Sequence, residues 1–339
     1  MKKCFDAIII GAGPIGLYTA WLLENIGLKI LIIEEHEEIG KPVQCSGLIP
    51  KDVEKILSKK FFDGIIENEI NESYLSTPSG FRARILKKNP IAYVVDREKF
   101  DKKIAENVES EILFKTRAEQ INIERYAEVK TKSGIFRSEI LIGCDGSNSV
   151  VARHFCVRPK EMLKGLIAIE DKKNYSDFVE SWFDKRLTDG FFWKIPRGEK
   201  IEYGMLGENA NFKKIENFFK IKNYEKIAGI IPIGPPKTYF HRAIIIGDAA
   251  AHVKPWSGGG IYFGLIAARE AYNVLKKCFD EENFSEFALK KYEDGWKKII
   301  GKKIYLGILS RKIFKKIGNF ELEIIVRSLS KFEWLRIFE

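Results

Sequence analysis

The sequence predicts an α/β protein with a nucleotide-binding core, a strand-rich second domain and a helical C-terminal segment. Three observations carry this. The stretch "AIIIGAGPIGLYTAWLLENIGLKILIIEE" (7–35) reads as strand, glycine turn, helix and second strand. Two further apolar strands, "EILIGCDGS" (139–147) and "RAIIIGDAA" (242–250), each run into a glycine and an aspartate. Between them lie strand-like runs such as "GLIAIED" and "KIEYGML", and the last residues read as lysine-rich helices. The core is expected from the separated pieces 1–70, 90–160 and 240–285. A covering β-sheet domain takes 71–89 and 161–239, and the helices take 286–339.

The first stretch states its chemistry in its spacing. Gly11, Gly13 and Gly16 form GxGxxG at the point where a strand ends and a helix begins. Gly11 permits the tight turn, Gly13 lets the backbone approach a pyrophosphate, and Gly16 allows close helix–strand packing. The helix start adds N–H donors and the positive end of its dipole. Glu34 ends the second strand roughly 20 residues beyond the glycines, where a carboxylate accepts from ribose hydroxyls. This is a Rossmann-type dinucleotide turn, and it leaves NAD and FAD both open.

Composition excludes several classes. The chain of 339 residues is 45% hydrophobic and 31% charged, which suits a globular protein of about two domains. A secretory signal is not expected, for want of a basic start with a small-residue cleavage site, and the apolar run at 7–23 is broken by glycines and a proline. Cys4, Cys45, Cys144, Cys156 and Cys278 form no CxxC pair, and His36, His154, His241 and His252 are dispersed. No metal site is expected, and reduced thiols point to the cytoplasm. The net charge of +10 accompanies a bias toward Lys, Glu and Ile with only two glutamines, as in proteins of heat-loving organisms. No nucleic-acid module is present.

The stretch "IIIGDAAAHVKPWSGGGIYFG" (244–264) asks for a flat ligand, because three glycines there run straight into an apolar helix. Taken with "CDGS" and "YVVDREKFD" (93–101), it resembles the FAD-dependent group that includes para-hydroxybenzoate hydroxylase and geranylgeranyl reductases. The resemblance implies FAD, with Asp248 on the ribityl group, Arg97 reaching the cofactor and glycine backbone against the ring. Asp145 is read as a structural cap. The cofactor set is then Gly11, Gly13, Pro14, Ile15, Gly16, Glu34, Glu35, Cys45, Ser46, Gly47, Arg97, Asp248, Gly258, Gly259, Gly260 and Ile261. Backbone N–H groups near Gly259, Gly260 and Ile261, with the dipole of the helix that follows, suit negative charge on a reduced ring.

Two segments resemble the geranylgeranyl reductases in particular. "EEHEEIGKPVQCSGLIP" (34–50) carries the Pro-x-x-Cys-x-Gly pattern as Pro42, Cys45 and Gly47, which implies a cysteine beside the flavin. "FFWKIPRGEKIEYGMLG" (191–207) matches the group's aromatic segment at Trp193, Pro196, Gly204 and Gly207, with Phe191 and Ile195 as departures. Ile195-Pro196 also leans toward flavin halogenases, whose first Trp is absent at 191. The expected function is saturation of the double bonds of prenyl groups in isoprenoid lipid synthesis. Phe191, Phe192, Trp193, Pro196 and Gly204 form the substrate set, and Cys45 is the candidate catalytic residue. An oxygen-using hydroxylase or halogenase is the alternative, and a non-catalytic lipid carrier a further one. No second nucleotide module is read, so electrons come from NAD(P)H, ferredoxin or another carrier. His252, in the flavin loop, is expected to face solvent.

From Trp296 to Glu339 there are 11 Lys and Arg against 4 Asp and Glu. Ile299, Ile300, Ile304, Tyr305, Ile308 and Leu309 recur at helical spacing. Such a stripe packs on the protein body or lies on an anionic membrane surface. Both readings stay open.

Overall fold

The computed structural model describes residues 4–86 and 90–331. Its largest sheet has eight strands. Five of them are parallel, in the order Ala243–Ile245, Gly134–Gly143, Cys4–Ile10, Ile30–Ile33 and Glu111–Leu113. Ile30–Ile33 and Ala243–Ile245 are buried throughout, as parallel strands covered on both faces must be. Alternation sends Ile9, Ile32, Ile142 and Ile244 into one core with the helices Pro14–Glu24 and Ile261–Asp280. Ile8, Ile10, Leu31, Leu141 and Ile245 form the core of the other face.

Register decides where the site lies. Ile10 stands opposite both Gly143 and Ile33, and Gly143 opposite Ile245, so four strands end level. The backbone therefore emerges at one edge as Gly11, Glu34, Cys144 and Ile246. Backbone hydrogen bonds hold these exits: Gly11 N–H donates to the Ile33 carbonyl (2.9 Å) and Cys144 N–H to Ile10 (2.8 Å). Ile246 N–H donates to Gly143 at 2.8 Å.

A seven-stranded sheet covers that edge. Its strands run Glu225–Ile233, Glu161–Glu170, Ile201–Gly207, Phe191–Pro196, Phe178–Trp182, Glu72–Ser76 and Arg82–Leu86. One face takes the short helix Phe212–Phe219, burying Phe192, Tyr203 and Met205. The other gathers Leu163, Leu206, Ile231, Phe191 and Trp193 with Val253 and Ile308. A small sheet of Leu48–Pro50, Ala92–Val95 and Ile66–Ile70 adjoins both.

The C-terminal part comprises helices Glu286–Trp296, Lys302–Lys316 and Asn319–Lys331, the first two joined by a π-helical turn. The apolar stripe read from the sequence divides here. Ile300 and Ile304 are buried and Ile308 partly so, whereas Ile299, Tyr305 and Leu309 are exposed. Among the described residues no helix is long and apolar enough to cross a membrane.

The glycine turn is sterically closed. A Cβ on Gly16 would sit 2.0 Å from the Gly11 carbonyl oxygen, and one on Gly11 2.5 Å from that of Cys144. Gly11 also has a φ of +99°. Gly16→Ala should push the first helix off the strand, lowering stability by about 1–3 kcal/mol. Chemical denaturation of the variant checks this, and an unchanged midpoint would contradict it.

Candidate functional site

The edge formed by the level strand ends presents two helix N-termini. The helix Pro14–Glu24 begins at Gly13, with no cap from a side group and no acid in its first turn. A Cβ on Gly13 would meet nothing within 4 Å, so its face is open. Pro14 has no N–H, which leaves the amides of Ile15 and Gly16 to an incoming anion. Ile15 itself packs on Gly247. Glu34 is buried at the end of the second strand and accepts from Ala12 N–H (2.6 Å) and His36 N–H (2.9 Å). Glu35 departs from the expected set: in the bend that follows the strand it is exposed and pairs with Arg117 at 3.5 Å.

The third strand end builds a loop. Asp248 follows Gly247 in a short 3-10 turn, and Gly260 precedes the helix Ile261–Asp280, whose start is again uncapped and free of acids in its first turn. A Cβ on Gly260 would lie 2.7 Å from Asp248 Oδ1, so only glycine leaves the carboxylate its place. Gly259 has nothing nearer than Ser257 Oγ at 3.7 Å, and Gly258 lies against Ile231 of the covering sheet. Burial pushes Asp248 up to about 6, with Arg97 pulling the other way. Asp145 caps the helix Val150–His154, accepting from Ser149 Oγ (2.6 Å) and Val150 N–H (2.6 Å).

Arg97 and Cys45 meet between these pieces. Arg97 Nη2 donates to Asp101 Oδ1 at 2.8 Å, and the guanidinium faces the Cys45 thiol. Burial opposes its charge, but Asp101 and Cys45 outweigh burial and raise its pKa. Its Nε is buried without a partner. Gly47 N–H points to Cys45 Sγ at 3.5 Å, and Leu48 N–H to Ser46 Oγ at 3.4 Å. An orphaned guanidinium nitrogen, two uncapped helix starts, an open glycine backbone and a carboxylate for sugar hydroxyls fit FAD in kind and in order. Glu34, Gly13, Ile15, Gly16, Arg97, Asp248 and Gly259–Ile261 would hold it.

The covering sheet contributes a second cluster that sequence reasoning missed. Trp193 lies across Gly204, its cross-strand partner, where a Cβ would be 2.0 Å from the indole ring. Its Nε1–H donates to Glu202 Oε1 at 2.8 Å, and Arg197 Nη1 donates to Glu202 Oε2 at 2.9 Å. Arg197 also donates to the carbonyls of Ser46 and Val95 and pairs with Glu67 at 2.6 Å. Glu202 is fully buried; burial raises its pKa, and Arg197 opposes that. The signal available was an acid inside "IEYGMLG", a strand buried at every residue.

Two expected placements are corrected. Phe192 is turned away from the cofactor side. It stacks on Phe218 (4.3 Å between centroids) beneath the short helix, and alternation puts Pro196 on that side too. Phe191 and Trp193 keep the cofactor side, with Val253. His252 does not face solvent: it is fully buried, 4.6 Å from the Trp296 ring. Its Nδ1 accepts from Gly247 N–H at 3.3 Å, and burial holds its pKa down to about 3.

From Trp193 an arch of rings leads outward and back. Centroids lie 5.7 Å apart from Trp193 to Phe191, 5.4 Å to Phe183, 5.9 Å to Phe314 and 5.6 Å to Trp256 in the glycine loop.

Both buried clusters have measurable consequences. Glu202→Ala strands Trp193 N–H and Arg197 in the interior and should cost about 3–5 kcal/mol. Glu202→Gln keeps a partner for the indole and should cost less than half as much; equal denaturation midpoints for the two variants would contradict the tie. His252 titrates near 6.5 when unfolded and about 3 when folded. The unfolded state therefore binds more protons in that window, and stability falls as pH drops, by on the order of 3 kcal/mol from pH 6.5 to pH 4. Thermal unfolding of His252→Gln should lack this part of the acid slope.

The FAD binding domain family matches residues 5–200. An uncharacterized protein of Methanocaldococcus jannaschii is 30% identical over 97% of this chain and 89% of its own length. A digeranylgeranylglycerophospholipid reductase of Methanopyrus kandleri is 28% identical over 98% of this chain and 92% of its own. The crystal structure of a geranylgeranyl bacteriochlorophyll reductase-like protein from Thermoplasma acidophilum superposes with a TM-score of 0.90 at 21% identity, covering 98% of this chain and 93% of that one. A match over more than half of the sequence, on the residues that shape the dinucleotide turn and the Arg97 segment, makes this protein a member of the FAD binding domain family, with FAD as its cofactor.

Proposed function

We propose that the protein is a cytoplasmic FAD-dependent reductase that saturates C=C bonds of geranylgeranyl or other prenyl groups, in isoprenoid membrane lipid synthesis of the archaeal type. The observation that carries it is the run of aromatic ring contacts from Trp193 to Trp256, which gathers apolar side chains beside the glycine loop. An isolated alkene offers no group to hydrogen-bond, so its binding rests on such surface. Relatives named as digeranylgeranylglycerophospholipid reductases, similar over nearly the whole length, support the same reading. The halogenase or hydroxylase alternative is weaker: residue 191 is Phe where halogenases have their first Trp.

Hydride for one alkene carbon is the chemistry that FAD would supply once bound and reduced. The protein's own residues do the rest. Phe191 and Trp193 hold the prenyl group, and Glu202 with Arg197 fixes the indole. Amides at Gly260 and Ile261 stabilise negative charge at the helix start. Cys45 Sγ donates the proton for the second alkene carbon, and the thiolate left behind faces Arg97. Electrons arrive from outside, from NAD(P)H, ferredoxin or another carrier.

Anaerobic incubation of dithionite-reduced protein with geranylgeranyl lipids should add two hydrogens per double bond, read by product mass. Cys45→Ser should slow this at least tenfold, on the scale of a lost general acid, while FAD stays bound. No mass change at any prenyl length, with FAD bound, would overturn the proposal, as would an oxygen-dependent hydroxylated product.

A further inference from the structure

The helix Lys302–Lys316 has two apolar faces, and the fold uses one. On the inner side Gly307 lies on Pro255 of the glycine loop, where a Cβ would be 2.8 Å from Pro255 Cδ. Ile308 joins Phe191, Trp193 and Val253, and Phe314 meets Phe183 and Trp256. On the outer side Tyr305, Leu306, Leu309 and Ile313 are 67%, 38%, 43% and 50% exposed. At about 100° per residue these four share a strip about 100° wide. Ile299 precedes it at 51% exposure, and Phe320 and Ile324 follow at 74% and 49%.

The helix itself carries charge of one sign, with Glu208 beside Lys315 and Glu321 beyond its end. Residues 297–319 hold eight Lys and Arg and no Asp or Glu. Lys298, Lys302, Lys312 and Lys316 are exposed, whereas Arg311 is buried against Glu161 and Lys315 pairs with Glu208.

We infer that the outer face of the helix Lys302–Lys316 seats the protein on an anionic lipid bilayer. Leu306, Leu309 and Ile313 enter the headgroup boundary, and Lys302, Lys312 and Lys316 lay their stems along it with the ammonium groups among lipid phosphates. A second copy of the protein is a poor occupant, since pairing this face with itself opposes two stretches, 297–319, that hold cations and no acid. The inner face of the same helix walls the aromatic arch. One helix diameter, about 10 Å, then separates bilayer from arch, a short path for a membrane-resident substrate. That last link rests on the proposed reductase function; the docking itself does not.

The test is co-sedimentation of the FAD-loaded full-length protein with phosphatidylglycerol vesicles and with phosphatidylcholine vesicles, at low and high salt. Binding is expected to the anionic vesicles and to weaken with salt. K302E/K312E/K316E should bind at least tenfold more weakly, a single lysine being worth roughly fivefold. L306S/L309S/I313S, at exposed positions, should lose vesicle binding while remaining folded and yellow. If the reductase reading holds, both variants keep turnover on detergent-dispersed prenyl substrate and lose it on substrate in vesicles; if that reading fails, the sedimentation results stand alone. Equal binding of wild type and both variants would overturn the inference. So would equal binding to both lipids, or a wild-type dimer without lipid that the serine variant dissociates, which would assign the face to a second copy.

Discussion

Everything at the site depends on the register of the parallel sheet. Because Ile10, Ile33, Gly143 and Ile245 end level, the glycine turn, Glu34, the Asp145 cap and the Asp248 loop leave the sheet at one edge. A slip of one residue in the strand Ala243–Ile245 would reverse its buried and outward side chains and carry Asp248 away from Gly260. The register is held by apolar side chains with no polar alternative: isoleucines dominate both faces, and each face has its own core. A binding edge rich in glycine, poor in side chains and open to a ligand cannot stabilise itself. Its order comes from the sheet beneath.

A second constraint joins the two sheets. Glu202 and Arg197 belong to the covering sheet or its edge, yet Arg197 bonds the carbonyls of Ser46, next to Cys45, and Val95, two residues before Arg97. A buried ion pair of this kind adds little net stability, because desolvation consumes most of the attraction. What it supplies is position. An indole over glycine could slide, but one whose N–H is bonded to a buried carboxylate cannot move without stranding that carboxylate beside Arg197. Glu67 shares the same guanidinium, so two acids compete for one cation, and burial raises the pKa of each against it. The cluster is polar, buried at Glu202 and largely so at Arg197, and joined to the ring contacts through Trp193.

The parts legible in the sequence are those whose chemistry depends on backbone. Gly11, Gly13 and Gly16, the acid at 34, and the Gly-Asp strand end speak through local spacing, because a phosphate cradle is local geometry. The parts that were not legible depend on which face of an element a residue occupies. "FFW" reads as three equal aromatics, but a strand sends Phe192 to the short helix and its neighbours to the cofactor side. His252 looks like a loop residue until Trp296, more than forty positions later in the sequence, closes over it. Glu202 looks like an exposed acid on an alternating strand, whereas both faces of that strand are covered. Phe183, Phe314 and Trp256 come from three segments and form one arch only through packing of the C-terminal helices.

The two-faced C-terminal helix follows from the same economy of surface. A helix that touches a sheet and a loop along one side has about half its circumference left for solvent, and solvent normally selects polar residues there. Here Tyr305, Leu306, Leu309 and Ile313 occupy that half. Their exposure costs solubility unless something covers them, and the lysines beside them determine what can. A hydrophobic strip on a helix whose own charges are all cationic is a poor match for its own copy, but it suits a surface that is apolar within and anionic at its rim. The inner side of the helix borders the glycine loop through Pro255 and Trp256. The outer apolar face and the loop that carries Gly259 and Gly260 thus lie on opposite sides of one helix.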